Sequence, residues 1–306
     1  MTMTGLHRIA LLRSLLLAAP ALLAGTLGAG PAEASVGGCS VSSAGITFSP
    51  YDTVNRPAVD STGTISVTCT GSGDENLSLN LTGGNSGSCT SRQLRNGAAS
   101  LGYQIYRDAA RVSNFCDGGS RLDISIDFGS NSTQTRTYTM YGRIAGSQNP
   151  SWGSYSDTLA ITLKKGGGTL ATGSAPINGS VSPTCSVSAG TLAFGTYVSS
   201  AARLGTATVT VNCSNGAPYQ VSLAAGQNPS GTTRRMAGPG GSYLSYQLYS
   251  NSGRTLAWGD GTALGARVNG TGSGGAQSRT VYGRIPAGQS ANAGSYSDSV
   301  IVTVEY

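Results

Sequence analysis

Histidine is almost missing from this chain: His7 is the single one in 306 residues, and it sits in the N-terminal leader. That absence excludes Ser/His/Asp and Cys/His nucleophilic sets from the rest of the chain. Zinc is disfavoured with it, because no Cys-x-x-Cys pair occurs either. Charge is scarce, at 10% of residues, and the formal net charge of +6 contains no basic block. A spread-out charge of this kind serves solubility and speaks against nucleic-acid binding. Long apolar runs are absent beyond residue 34, which leaves no bilayer-spanning helix there. No segment carries a convincing helical period.

What is abundant is glycine, 46 residues, about twice the usual share. Much Ser, Thr and Asn and little Leu accompany it, a composition of β structure with many turns. The first 34 residues read as a signal peptide. Arg8 and Arg13 give a positive start, Leu11 to Leu27 form an apolar core broken by small residues, and Ala32-Glu-Ala34 is an Ala-x-Ala cleavage site. A membrane anchor is the rival reading, weakened by the short run and by Pro20. The mature chain is expected to begin at Ser35, long enough for two ordinary domains.

Those two domains are copies. Leu101-Gly-Tyr-Gln-Ile-Tyr106 returns as Leu244-Ser-Tyr-Gln-Leu-Tyr249, and Thr139-Met-Tyr-Gly-Arg-Ile144 as Thr280-Val-Tyr-Gly-Arg-Ile285. Gly153-Ser-Tyr-Ser-Asp157 returns as Gly294-Ser-Tyr-Ser-Asp298, and Cys39-Ser-Val-Ser42 as Cys185-Ser-Val-Ser188. Within each copy, apolar residues alternate: Ile65, Val67, Cys69; Leu77, Leu79, Leu81; Leu159, Ile161, Leu163; and Val209, Val211, Cys213; Tyr219, Val221, Leu223; Val300, Val302, Val304, Tyr306. Short strands with one apolar face need a second sheet to cover them. The expected fold is all-β, two tandem immunoglobulin-like β-sandwiches.

Export permits disulfides, and all six cysteines follow the cleavage site. Cys39–Cys69 and Cys185–Cys213 occupy matching repeat positions, so both are expected to pair. Cys89–Cys116 follows by elimination.

The copies end differently. After Leu163 and the break Lys164-Lys-Gly-Gly-Gly168, residues 169–183 alternate through Ala175, Ile177, Gly179 and Val181. This stretch reads either as a Gly/Ser linker or as a strand, 169–182, folding back on 155–164 to close the first domain. The second copy has no such segment. Its Val300, Val302, Val304 and Tyr306 would line an open edge, the kind that invites strand addition from a partner. Domains are therefore set at 35–183 and 184–306.

With these features the chain resembles the spore coat protein U domain, found in subunits of archaic, Csu-type chaperone–usher pili. The resemblance rests on Cys185-Ser-Val through Val211-Asn-Cys213, Tyr246-Gln-Leu-Tyr249, Val281-Tyr-Gly-Arg-Ile285 and Gly294-Ser-Tyr-Ser-Asp298. It covers nearly all of the second copy and, more loosely, 39–164. It implies donor-strand complementation: a periplasmic pilus chaperone lending the missing strand, an outer-membrane usher, and a next pilus subunit donating an N-terminal strand. Only Ser35 to Gly38 precede Cys39, and four residues are too few to fill a groove at about 3.3 Å per residue. The expectation is a tip subunit that accepts but does not donate, exported through the periplasm to the cell surface. Its first domain would be the adhesin, holding an abiotic or host surface and supporting biofilm formation. A secreted spore-coat or matrix protein and a lectin-like sugar-binding module are the alternatives.

Binding is placed at the pole away from the second domain, with loops 70–76 and 108–118. Val112 and Phe115 are the candidate surface-binding residues, as apolar tips on a loop stapled by Cys116. The competing reading folds them inward, because Arg111–Cys116 aligns with Arg254-Thr-Leu-Ala-Trp-Gly259 and so matches Phe115 to Trp258. Catalysis and cofactors find no support. Composition alone leaves a carboxylate pair for glycoside hydrolysis open. Asp123 and Asp127, however, share a solvated strand face, Asp74-Glu75 reads as a solvated turn, and the duplicated Asp157 and Asp298 read as turn ties. Gly166–Gly168 and Gly272–Gly275 lack the strand, helix and Lys-Ser/Thr of a phosphate loop. Tyr141 and Tyr282 read as sandwich core or rim.

Overall fold

The computed structural model describes residues 34–306. The expected signal peptide and its cleavage site, apart from Ala34, lie outside the described residues. The first repeat forms nine strands: β1 (Ser35–Thr47), β2 (Val59–Ser72), β3 (Asp74–Leu81), β4 (Arg92–Asn96), β5 (Ala99–Tyr106), β6 (Leu122–Asp127), β7 (Ser132–Ile144), β8 (Gly153–Lys165) and β9 (Gly168–Val181). They hydrogen-bond in the order β4-β5-β7-β2-β1-β9-β8-β3-β6. Arg95 of β4 also meets Ser156 of β8, so the sheet curls round on itself. The alternating side chains Ile65, Val67, Leu79, Leu159 and Ile161 all point into the enclosed core and are fully buried.

β9 joins the two faces. It pairs antiparallel with the whole of β8, from Gly153 opposite Val181 to Lys165 opposite Gly168. Along its other edge it runs parallel to the end of β1, with Ile46 opposite Ile177. The N–H of Phe48 donates to Asn178 O at 2.9 Å and that of Tyr51 to Ser180 O at 2.8 Å.

The second repeat forms β10 (Cys185–Ala189), β11 (Arg203–Cys213), β12 (Pro218–Leu223), β13 (Arg234–Ala237), β14 (Tyr243–Tyr249), β15 (Val268–Thr271), β16 (Ala276–Ile285) and β17 (Val302–Glu305). Here the strands fall into two separate sheets, β10-β11-β16-β14-β13 and β15-β12-β17. Nothing among the described residues takes the place of β9.

Disulfides join Cys39 to Cys69 across β1 and β2, Cys185 to Cys213 across β10 and β11, and Cys89 to Cys116. The last ties the excursion before β4 to the loop after β5. The chain passes between domains at 182–184, where Thr184 N–H donates to Ser214 Oγ at 3.0 Å. Trp152 fixes the junction: its N–H donates to Asn215 O and its Nε1–H to Gly216 O, both at 3.1 Å.

Strand direction corrects two expectations. Asp74 and Glu75 are not a solvated turn but the start of β3, and the reversal between β2 and β3 is made at Gly73. Glu75 is buried, with Lys165 Nζ at 2.7 Å from its carboxylate. Loop 108–118 is not at the free pole. β5 leaves the sheet where Tyr106 faces Tyr141, three residues from the junction end of β7. Arg111 then reaches back towards that end, its Nε donating to Gly142 O at 3.3 Å and lying 3.4 Å from Asp60. The free pole is formed instead by Gly73 and by the segments 128–131 and 165–168.

Candidate functional site: an open groove in the second domain

The sheets of the second domain part along a cleft of about 380 Å³. Leu192 and Phe194 form one wall, Tyr296, Val300 and Val302 the other, and Met236, Tyr246 and Val281 line its depth. Every one of these corresponds to a residue around β9 in the first domain. Ile46 and Phe48 are buried there, whereas Leu192 and Phe194 are half-buried. Leu159, Ile161 and Leu163 are fully buried, whereas Val300, Val302 and Val304 are half-exposed. Half-exposed apolar side chains in a row are a surface awaiting cover.

Both walls also carry unpaired backbone. Among the described residues, 191–197 has no ladder partner, although its counterpart bonds to β9. Residues 296–301 bridge to β13 at Ala237–Ser297, and Ala224, just after β12, donates its N–H to Ile301 O. Such an edge is a template for another strand.

Beneath the groove sits a polar brace that occurs in both domains. Tyr246 Oη donates to Asp298 Oδ2 at 2.7 Å, and Asp298 Oδ1 accepts the N–H of Gln227 at 2.8 Å. In the first domain Tyr103 Oη donates to Asp157 Oδ2 at 2.6 Å, and Asp157 Oδ1 accepts the N–H of Asn85 at 2.8 Å. The duplicated aspartates are thus turn ties that also hold a tyrosine. Burial first, then the bond to aspartate, pushes both phenols well above their ordinary range. Neither is available as an acid or base near neutral pH. Each tyrosine packs edge-on against a wall aromatic: Phe48 on Tyr103 at 6.3 Å, Phe194 on Tyr246 at 6.0 Å.

A buried arginine completes the brace, and it escaped the reading of the sequence. Arg234 donates to Leu223 O at 2.7 Å, Ala224 O at 2.8 Å and Trp258 O at 3.1 Å. Arg92 does the same to Thr82 O at 2.9 Å and Phe115 O at 2.7 Å. Burial draws both guanidinium groups below their usual value, opposed by the nearby tyrosine and aspartate. The signal was present as Thr90-Ser-Arg92 and Thr232-Thr-Arg234, one more pair in the repeat.

Of the groove residues named from sequence, Val300 and Val302 line the cleft, although Val300 precedes the regular strand β17. Val304 is half-buried on β17. Tyr306 is a correction: it is 60% exposed and does not line the groove, because β17 ends its pairing at Glu305 opposite Gln220. Ala175, Ile177 and Val181 lie on β9 with their side chains buried in the first domain.

For Phe115 the surface-binding role is corrected, and the inward reading taken from its match to Trp258 holds. It is fully buried, held by its N–H donating to Ile105 O at 2.9 Å and by Arg92 on its carbonyl. Its repeat partner Trp258 is buried in the same way. Val112 is 80% exposed, on a turn tied by Asp108 accepting the N–H groups of Val112 and Ser113. Cys89, Cys116 and Asp117 have metal-like proximity, but the two sulfurs are bonded to each other.

Comparison with known proteins follows this duplication. The family model described as Spore Coat Protein U domain matches twice, at residues 26–162 and 171–303. "Protein U" of Myxococcus xanthus is 34% identical over 146 residues, covering 43% of this chain and 80% of that protein. Among solved structures, the chain is similar to one in the CsuC–CsuE chaperone–tip adhesion subunit pre-assembly complex from archaic chaperone–usher Csu pili of Acinetobacter baumannii. The TM-score is 0.50 at 20% identity, over 76% of this chain and 85% of that one.

Proposed function

Because the chain belongs to the spore coat protein U domain family, with two copies of that domain in tandem, we propose that it is the tip subunit and adhesin of a chaperone–usher pilus, exported to the cell surface and joined to its fibre through the second domain. One observation carries this reading. The same fold with a corresponding apolar lining appears twice; among the described residues one copy holds a ninth strand in its groove, and the other holds none. A periplasmic chaperone would lend a strand to the groove first. At the outer-membrane usher, the N-terminal strand of the next subunit would replace it. The fold relative from Acinetobacter baumannii, a chaperone–tip adhesion subunit pre-assembly complex, supports a chaperone as the first partner.

The tip position rests on removal of the leader before Ser35. Of the few residues then preceding Cys39, Ser35 and Val36 already pair with Ser72 and Gly71 in β2. The first domain, its groove occupied by β9, is the part free to attach to an abiotic or host surface and to support biofilm formation, and Val112 is its exposed apolar candidate. One observation favours the lectin-like alternative. A polar cleft of about 610 Å³ lies on the outer face of β3, β6 and β8, lined by Asn76, Asn80, Arg121, Asp123 and Lys164.

Expression in a periplasm with and without the cognate chaperone tests the proposal. With it, the chain is expected as a soluble one-to-one complex; without it, the second domain is degraded or aggregates. A stable, protease-resistant monomer without the chaperone would favour a self-sufficient coat or matrix protein instead.

A further inference from the structure

We infer that Arg254 and Arg284, on the outer face of the second domain, bind a carboxylate of the following pilus subunit. The inference rests on the proposal that such a subunit joins the second domain. The duplication shows what this arginine pair takes. In the first domain Asp60 serves both counterparts. Arg143 Nε and Nη2 donate to its two oxygens at 2.7 and 2.8 Å, and Arg111 Nε lies 3.4 Å from it. In the second domain Leu204 stands in that place, opposite Arg284 as Asp60 is opposite Arg143.

The arginines themselves are kept, and kept in position. Arg254 donates from Nε to Gly283 O and from Nη1 to Ser252 O, both at 3.1 Å, and lies 5.6 Å from the centre of the Tyr282 ring. Arg111 makes the same contacts with Gly142 O, Ala109 O and Tyr141. Arg284 is exposed, and no ion pair among the described residues involves Arg254 or Arg284. The domain's own acids are engaged elsewhere. From residue 184 onward the chain has seven arginines and three carboxylates. Of these, Asp298 holds Tyr246, Glu305 meets Arg267, and Asp260 accepts from Thr262. Two more acids of the first domain are lost from the same end: Asp52 becomes Val198 and Asp108 becomes Asn251. Val198, Leu204 and Leu256 are all more than half exposed, at 53%, 53% and 61%. Cations fixed by backbone bonds beside exposed aliphatic side chains suit a protein surface that carries a carboxylate. Sugar acids offer no aliphatic groups to match these three.

Position says which protein. β11 begins and β16 ends here, at the pole away from Cys185–Cys213 and the first domain. The matching pole of the first domain is the one on which the second domain is seated, through Arg56 on Gly274 O, Asn149 on Ser273 O and Trp152 on Gly216 O. The next domain in line beyond the second belongs to the following subunit.

Leu204→Asp tests this, because it gives the pair a carboxylate of its own. The chain, in complex with its chaperone, is mixed with the following subunit, and the rate of joining is measured at about 50 mM and about 500 mM salt. The wild-type rate is expected to fall about tenfold across that range, since charge complementarity acts mainly on association. Leu204→Asp should join about tenfold more slowly at low salt, lose the salt dependence, and melt no lower than the wild type. Arg284→Gln should reproduce the slower joining without adding a charge. Arg136→Gln, at an exposed arginine of the first domain, should join as the wild type does. Wild-type rate and salt dependence in Leu204→Asp overturn the inference and leave strand uptake standing. Failure of the wild type itself to join overturns strand uptake and the inference with it. Loss of the chaperone complex in Leu204→Asp overturns the assignment to the following subunit. Undiminished joining by Leu204→Asp, with loss of a retention on polygalacturonate that the wild type shows, reassigns the pair to an acidic polysaccharide.

Discussion

Replacing Ile177 with aspartate is expected to unfold the first domain and leave the second as it was. Ile177 is fully buried on β9, flanked by Ile46 of β1 and standing opposite Asp157 of β8. Asp157 is already committed to Tyr103, to the Asn85 N–H and to the Thr158 N–H. A second carboxylate there repels the first, and the nearby Arg92 is already committed to the carbonyls of Thr82 and Phe115. An unpaired buried charge costs several kcal/mol, of the order of a small domain's whole stability of about 5–15 kcal/mol. We expect a loss of about 5 kcal/mol or more, read as disappearance of the first domain's thermal transition and rapid proteolysis of 35–183. The control Ile177→Val removes one methylene and should cost only about 1 kcal/mol. If Ile177→Asp leaves the first domain intact, β9 is an ornament on a domain closed by other means.

The opposite manipulation should work on the second domain. In the first domain, β8 turns into β9 through Gly166 and Gly167, directly after Lys165. Tyr306 holds the position equivalent to Lys165, so residues 166–182 appended after Tyr306 would fold back into the groove of the same molecule. Each large apolar side chain buried contributes about 1.5–3 kcal/mol, and the strand also covers Leu192, Phe194, Val300 and Val302. After the cost of ordering the strand, a net gain of about 4 kcal/mol would raise the second domain's melting temperature by about 20 °C. The extended chain should also no longer form a complex with the chaperone. Calorimetry and co-purification read the two effects together. An unchanged transition with undiminished chaperone binding would mean that the cleft is not where the strand goes.

Much of this architecture is legible before any coordinates, because duplication makes the sequence its own comparison. Period-two alternation located the sheets, and repeat position placed the aspartates in corresponding turns. The competition between linker and strand at 169–183 was open for a physical reason. β9 is mostly Gly, Ala, Ser and Thr, with Ile177 and Val181 as its larger inward side chains, so its own pattern is weak. The walls of Leu and Ile around it supply the hydrophobic mass. Phe115 was split between two readings, and only its match to Trp258 pointed inward. An apolar residue amid Arg, Ser, Asn and Asp looks like a surface tip, but the buried Arg92 that caps its carbonyl comes from a strand more than twenty residues away. The height of the 108–118 loop was equally hidden, since it depends on which residue of β7 Tyr106 faces.

The open groove itself is tested most directly by native-state hydrogen exchange on the purified chain, since the two copies serve as each other's control. Amides of 153–161 are covered on one side by β9, whereas the corresponding edge of 294–301 has no strand beside it among the described residues. The second set should exchange about a thousandfold faster than the first, and it should slow towards the first when a donor strand is added. Equal protection of the two segments, with no partner present, would contradict an open second domain.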